Sequence, residues 1–263
     1  MDAVDRLTLL PARPTSPGTG RIILSDLGRC EYLVPSSPGA VNLVLEGEEV
    51  YEVDGARLRV RAGEMILMEA GQPMRVVLEK PAGNRAICIC LPGPTGPQAT
   101  AVVSAPTSDL GRYLLSTSDG GDPTALLGHV VRHLPAFGEK VRSRLDAVPS
   151  VRFQTRRRLL QRLERAAARL HGEGDASLSD LAALAGIAVH HFARTFAAVY
   201  GLPPAAYRRR IRIDKVALAL EAGMRPAEAA ERFGFADQAS LTRAFRREKG
   251  ASPAAWARSR RLK

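Results

Sequence analysis

The sequence predicts a multidomain α+β protein in which an N-terminal β-barrel precedes an all-helical C-terminal domain. The chain has 263 residues, which is long for one small domain and suits two. Short alternating segments with turn signals fill residues 21–91, whereas helical periodicity dominates after residue 107. Residues 1–150 hold 15 Lys and Arg against 17 Asp and Glu, while residues 151–263 hold 23 against 10. We therefore expect a barrel over 1–100, a helical linker over 101–150 and a basic helical domain over 151–263.

Turn signals organise the predicted barrel. Asp54-Gly55 separates Val50–Val53 from Leu58–Arg61, and Asp-Gly between two alternating segments is a strong hairpin signal. Residues 1–20 are rich in Pro, Gly, Ser and Thr, which predicts a loose lead-in. The Pro- and Gly-rich stretch 91–97 predicts the end of the β region.

The predicted linker contains a helical apolar stripe formed by Leu126, Leu127, Val130, Val131 and Leu134. The stripe suits packing on the barrel or on a second copy of the chain. Core packing is the more common use, so a homodimer through this segment stays the alternative. An Arg-rich helix is expected from Phe153 to Leu170, after a boundary near Pro149-Ser150.

Cysteine usage and apolar runs indicate a cytoplasmic protein. Cys30, Cys88 and Cys90 are too few for a disulfide framework, which fits a reducing compartment. Cys88 and Cys90 are expected to share one face of a core strand, since a metal or redox role needs more ligands than lie nearby in the sequence. The longest apolar runs are too short to span a bilayer, and the N-terminus carries no export signal.

The last 90 residues contain an internal repeat. The first copy contains Ala182, Gly186, Phe192, Arg194, Phe196, Gly201, Pro204 and Tyr207. The second contains Ala230, Gly234, Leu241, Arg243, Phe245, Gly250, Pro253 and Trp256. Each copy predicts a helix, a tight turn and a second helix, at about 178–199 and about 226–248. One extra residue is expected in the turn of the second copy.

Each predicted pair of helices has the layout of a helix-turn-helix. Gly186 and Gly234 are placed to end the first helices, where a positive φ is cheap only for glycine. The residues at i and i+4 in each second helix form a buried face, which leaves the opposite face free to enter a DNA groove. Residues 205–220 predict one connecting helix of roughly 24 Å. A spacer of that length suits two recognition helices about one turn of DNA apart.

These motifs resemble the AraC/XylS family of bacterial transcription regulators. Residues 230–253 match the family's signature almost throughout, residues 181–207 match it less closely, and the resemblance covers roughly 152–261. Upstream, 44–51 and 63–68 are similar to the cupin-like effector domain of many such regulators. The resemblance implies a sequence-specific activator that binds double-stranded promoter DNA and works with RNA polymerase at the nucleoid. A small effector or a partner protein at the barrel would control it.

The exposed faces of the second helices supply candidate DNA contacts. Residues expected to contact bases are Val189, His190, Arg194, Asp237, Gln238, Ser240 and Arg243. Residues expected to contact phosphates are Arg208, Arg209, Arg210, Arg246, Arg247 and Lys249. The family often has a capping Ser where this chain has Ala188, and the first face is poor in polar groups. The second module is therefore expected to carry more of the sequence recognition.

Three alternatives concern the barrel. Arg57, Arg59 and Arg61 share one face of a strand, and they are either solvent-exposed or placed around an anionic effector. A regulator that is constitutive, or controlled only by another protein, would need no ligand. A cupin-type enzyme is disfavoured because no histidine precedes His129 and carboxylates alone suit transition metals poorly. We therefore expect no catalysis, no cofactor and no metal.

Overall fold

The computed structural model describes residues 6–10, 20–34, 39–79, 83–91, 96–118, 120–172 and 176–261. The chain forms two compact units, an N-terminal unit over Met1–Val199 and a C-terminal unit over Tyr200–Lys263. The predicted multidomain α+β fold is confirmed. The domain limits expected from the sequence stay a prediction.

The described residues of the N-terminal unit form strands followed by helices. The strands are β1 (Arg6–Leu10), β2 (Arg21–Leu27), β3 (Cys30–Val34), β4 (Ala40–Glu46), β5 (Glu48–Val53), β6 (Ala56–Arg61), β7 (Glu64–Met68), β8 (Met74–Leu78), β9 (Asn84–Cys90) and β10 (Ala101–Ser104). A short 3-10 helix (Ala105–Thr107) precedes α1 (Asp109–Thr117), α2 (Pro123–Ala147), α3 (Phe153–His171), α4 (Leu178–Ala185) and α5 (Val189–Tyr200). The C-terminal unit contains α6 (Pro204–Glu221), α7 (Pro226–Arg232), α8 (Gln238–Lys249) and α9 (Pro253–Arg261).

Two antiparallel sheets make up the β region. Their strand orders are β1-β2-β9-β4-β7-β10 and β3-β8-β5-β6. Apolar side chains from both sheets, among them Val44, Tyr51 and Ile66, pack into one buried cluster between them. Asp54 and Gly55 form the predicted two-residue hairpin, with φ of 49° and 69°. Positive φ at both positions is the type I′ geometry that matches the twist of the flanking strands.

Two expectations about the ends of the β region were wrong. β1 lies inside the stretch expected to be a loose lead-in, and it pairs with β2. The rest of that lead-in, 1–5 and 11–19, lies outside the described residues. The Pro- and Gly-rich stretch does not end the β region, because β10 follows it and pairs with β7. Residues 92–95 of that stretch also lie outside the described residues.

The helices after the β region bury the predicted stripe inside the N-terminal unit. Leu126, Val130 and Leu134 are buried, whereas Val131 is 39% exposed. α2 packs on α1, α3 and β2. Core packing therefore accounts for most of the stripe, as the sequence favoured.

The helix α3 connects the β region to the first helix-turn-helix. It packs on β10 on one side and on α4 on the other. On the β side, the Arg165 guanidinium contacts both oxygens of Glu64 at 2.6 and 3.0 Å. On the other side, Arg162 Nη2 donates to the carbonyl oxygen of Gly186 at 2.6 Å. Polar side chains of α3 therefore connect the β region to the turn of the first helix-turn-helix.

The C-terminal unit has its own core. Ile213, Leu220, Leu241 and Phe245 are fully buried, and Trp256 packs on them from α9. In the described part of the chain no single helix is long and apolar enough to cross a membrane, although α4 and α5 together pass that test as a bent pair.

Candidate nucleic-acid interface

The second module is built from α7, a five-residue turn and α8. Gly234 in the turn has φ of 69°, and the N–H of Phe235 donates to the carbonyl oxygen of Ala230 at 2.8 Å. Leu241 and Phe245 bury the inner face of α8, as the i, i+4 spacing predicted. The local sequence therefore determines where the turn lies and which face of α8 remains outside.

The first module is built from α4, a three-residue turn and α5. Gly186 ends α4 in the left-handed region with φ of 60°, as expected. Phe192 and Phe196 are buried with ring centroids 5.4 Å apart. α5 begins directly after Ala188, the residue found where the family often has a capping Ser.

The start of α4 at Leu178 agrees with the predicted limit of about 178, but the cap in front of it was not predicted. Ser177 and Asp180 form a capping box, in which Ser177 Oγ accepts from the N–H of Asp180 at 3.1 Å. The N–H of Ser177 donates to Asp180 Oδ2 at 2.8 Å. The Ser-x-x-Asp spacing was the available signal.

Arginines dominate the outer face of α8. Arg243, Arg246 and Arg247 are exposed. With ~100° of rotation per residue, Arg243 points almost directly away from the Leu241–Phe245 face. Arg243 Nη2 donates to Ser240 Oγ at 3.0 Å, so these two predicted base contacts share one side of the helix. Two basic residues of this helix lie near carboxylates: Lys249 Nζ is 2.6 Å from Asp214 Oδ1, and Arg247 Nε is 3.9 Å from Glu248 Oε1.

Asp237 and Gln238 take positions that the sequence did not indicate. Asp237 is the N-cap of α8, and its Oδ1 accepts from the N–H of Ser240 at 2.6 Å. Hydrogen bonds from Ser240 hold the pKa of the Asp237 carboxyl below its usual value. Gln238, the first residue of α8, lies ~140° around the helix from Arg243 rather than on the same face. Base contacts by these two residues stay a prediction.

We expect Asp237→Ala to weaken DNA binding through loss of the cap, and Asp237→Ser to retain it. Serine caps a helix about as well as aspartate but carries no charge. The alanine variant should also lower the Tm by a few degrees. The contribution of the carboxylate is present above its ordinary pKa of 3.8 and is lost as pH falls through the lowered folded value. Thermal melts at pH 7 and pH 3, together with binding titrations, check this. A serine variant that melts normally but loses preference at one base pair would contradict a role confined to capping.

The remaining predicted contacts lie on α5 and α6. Val189, His190 and Arg194 are exposed on α5. On α6, Arg209 and Arg210 are exposed and Arg208 is half-buried, while Arg209 Nε lies 3.5 Å from Glu248 Oε1. Contacts of these side chains with a duplex stay a prediction.

The candidate effector arginines lie on the solvent side of β6 and are already paired. Arg57 Nη2 lies 2.6 Å from Glu79 Oε1, Arg61 Nε lies 3.1 Å from Glu48 Oε2, and Arg59 pairs with Glu48. Their shared face was expected. The neighbouring carboxylates reduce the attraction of this face for an anion.

A cavity of about 160 Å³ lies instead between the two sheets. Its walls are mainly apolar, and the polar or thiol-bearing residues among them are Ser25, Tyr32, Asn42, Tyr51, Cys88 and Cys90. Behind Asn42 and Tyr51 lies Glu49, whose Oε2 accepts from Asn42 Nδ2 at 2.7 Å and from Tyr51 Oη at 2.6 Å. Burial raises the pKa of the Glu49 carboxyl. Across the described ranges, no group of three or more His, Cys, Asp or Glu side chains is placed to hold a metal ion.

The helical part of the chain is similar to known DNA-binding proteins. Residues 181–259 match a family described as a helix-turn-helix domain. These matches support the resemblance of the C-terminal part of the chain to regulators of the AraC/XylS type. An uncharacterized HTH-type transcriptional regulator, YbfI of Bacillus subtilis strain 168, is 37% identical over 71 residues. That match spans 27% of this chain and 26% of the relative.

Two solved structures are also similar to this chain. The DNA-binding domain of AdpA, a global transcriptional factor in complex with a target DNA, is 30% identical. That alignment covers 40% of this chain and 93% of that one, with a TM-score of 0.34. ToxT from Vibrio cholerae O395 is 11% identical over 91% of this chain and 97% of its own length, with a TM-score of 0.37.

Proposed function

We propose that this protein is a sequence-specific transcription regulator that binds double-stranded promoter DNA through α5 and α8. The observation that carries the proposal is the outer face of α8, where exposed Arg243, Arg246 and Arg247 lie opposite the buried Leu241 and Phe245. A helix with a buried apolar face and a free basic face suits the major groove.

The basic charge of the helical part supports the same proposal. Residues 151–263 hold 23 Lys and Arg against 10 Asp and Glu, whereas residues 1–150 are nearly neutral. Phosphate contacts from such a surface supply non-specific affinity and position the helices, while side chains in the groove distinguish bases.

We further propose that the cavity in the N-terminal unit binds a small effector. The cavity rather than the paired arginines of β6 is the proposed site, because its walls are mainly apolar with a few polar groups. α3 packs on both the β region and α4, which offers a physical route from the cavity to the first module. The protein would act as an activator with RNA polymerase in the cytoplasm, at the nucleoid. A homodimer is the alternative to a monomer. It would use no catalysis, cofactor or metal.

The test has two steps. First, the full chain is used to select the fragments that it binds from sheared genomic DNA. Second, the selected promoters are transcribed in vitro by purified RNA polymerase, with and without the protein. We expect a small set of promoter fragments to bind at least ~1000-fold more tightly than scrambled DNA. Transcription from those promoters should rise when the protein is added. Equal binding to all fragments at physiological salt would contradict sequence-specific regulation, and reduced transcription would contradict the activator role.

A further inference from the structure

Two thiols form part of the wall of the cavity between the sheets. Cys88 and Cys90 occupy successive same-face positions of β9, and their Sγ atoms lie 4.0 Å apart. Both pack against the buried cluster that fills the space between the sheets. Met68, Val76 and Tyr51 line the same cavity. The pair is therefore a dithiol facing an apolar space rather than two unrelated core residues.

The strand geometry opposes a disulfide between these two cysteines. Residues i and i+2 of a strand are ~6.6–6.8 Å apart, with their Cβ atoms pointing the same way. A disulfide needs its Cβ atoms within ~3.5–4.5 Å. β9 is hydrogen-bonded on both sides, to β2 and to β4, at both cysteine positions. Closing an S–S bond would distort a strand in the interior of its sheet.

The same geometry suits two bonds to one shared atom. With sulfur bonds of ~2.3 Å, the 4.0 Å separation corresponds to an angle of ~120° at the shared atom. Thiolate ligands select soft centres over oxygen-loving cations such as magnesium or calcium. A pyramidal trivalent centre with an angle of about 100° needs the sulfurs ~3.5 Å apart, and rotation of the two side chains can supply that shift without movement of the backbone.

One of the two sulfurs is activated. A hydrogen bond from the Cys88 thiol, with a contribution from the charge of Arg21, lowers the pKa of Cys90 to about 7. The thiolate is the nucleophilic form, so attack by Cys90 is available near neutral pH. Cys88 keeps its proton in the resting state, because its hydrogen bond to Cys90 and its burial raise the pKa of its thiol.

We propose that the Cys88–Cys90 dithiol binds a soft thiophilic centre, with a trivalent organoarsenical as the model ligand. This inference rests on the proposal that the cavity is the effector site. When both cysteines start as thiols, phenylarsine oxide forms one As–S bond with each of them. The As–O bond is broken, and the oxygen leaves with the two thiol protons as one water molecule. Arsenic stays trivalent, so no oxidant or reductant is needed. Cavities of ~150 Å³ accept a benzene ring, so the phenyl group fits the apolar space.

The test is native mass spectrometry of the reduced full chain with phenylarsine oxide. We expect one phenylarsenic group per chain, resistant to a monothiol and removed by a small dithiol. Cys88→Ser and Cys90→Ser should each lower the affinity by at least 100-fold, and Cys88→Ala repeats the test with a different side chain. Cys30→Ser is the matched control and should bind normally. Thermal melts establish that each variant folds.

Several outcomes separate this inference from the proposed function. An adduct that a monothiol removes as easily as a dithiol, or one that depends on Cys30, would overturn the inference. So would full binding by a folded Cys88→Ser variant. Promoter binding by the same samples is measured with and without the arsenical. An adduct with unchanged promoter binding supports the dithiol site but contradicts effector control through the cavity.

Discussion

Glu164→Ala should lower the free energy of unfolding of the N-terminal unit by about 3–5 kcal/mol. The Glu164 side chain on α3 is fully buried, and its Oε1 lies 2.8 Å from Arg144 Nη1. Its Oε2 accepts from Thr107 Oγ1 at 2.7 Å and from the N–H of Ser104 at 3.3 Å. Alanine would leave the guanidinium of Arg144, itself only 8% exposed, without its carboxylate. The N–H of Ser104 would also lose this acceptor, and Thr107 Oγ1 would keep only the carbonyl oxygen of Ser104, in a site with little access to water.

Denaturant titrations of the full chain measure this effect. Glu164→Gln should lose less than the alanine variant, because its carbonyl oxygen still accepts hydrogen bonds. Glu139→Ala on α2 is the matched control, since Glu139 is exposed and should change stability by no more than ~0.5 kcal/mol. A Glu164→Ala variant as stable as the Glu139 variant would show that the buried pair adds nothing to the fold.

Arg243→Ala should cost ~1–3 kcal/mol at the cognate site, or about 5- to 150-fold in affinity. Arg243 lies on the side of α8 opposite the core, and Ser240 Oγ orients its guanidinium at 3.0 Å. An arginine in the major groove can make two hydrogen bonds to guanine. Its loss should therefore relax preference at one or two base pairs and leave binding to scrambled DNA nearly unchanged.

Arg246→Ala is the matched control on the same helix. Arg246 is also exposed, but it lies in the last turn of α8, where contact with a phosphate is expected. Its loss should weaken cognate and scrambled duplexes alike and lower the salt slope by about one unit. Binding titrations on both duplexes at several salt concentrations distinguish the two roles. Equal weakening of both duplexes by Arg243→Ala would contradict its assignment to a base.

The helix-turn-helix modules were accessible from the sequence because their determinants are local. Gly186 and Gly234 mark the turns, and Phe192/Phe196 and Leu241/Phe245 mark the buried faces within one helical turn. The hairpin at Asp54-Gly55 was predicted for the same reason, since two residues set its turn geometry. The roles of Asp237 and Gln238 were not accessible, because they depend on the residue at which α8 begins, and helix ends are the least certain feature of a sequence prediction.

By itself, the sequence determined the two-part architecture, the helix-turn-helix pair and the basic face of α8, since periodicity, glycine and charge act over a few residues. Only the tertiary structure decided which distant groups meet. The contact of Ser104 with Glu164 spans 60 residues, and the pairing of β2 with β9 brings Ile23 beside Cys88. Such contacts depend on sheet order and on how α3 packs, which no local pattern specifies. For that reason the buried Glu164–Arg144 pair, and the cavity that Cys88 and Cys90 line, emerged from the structure alone.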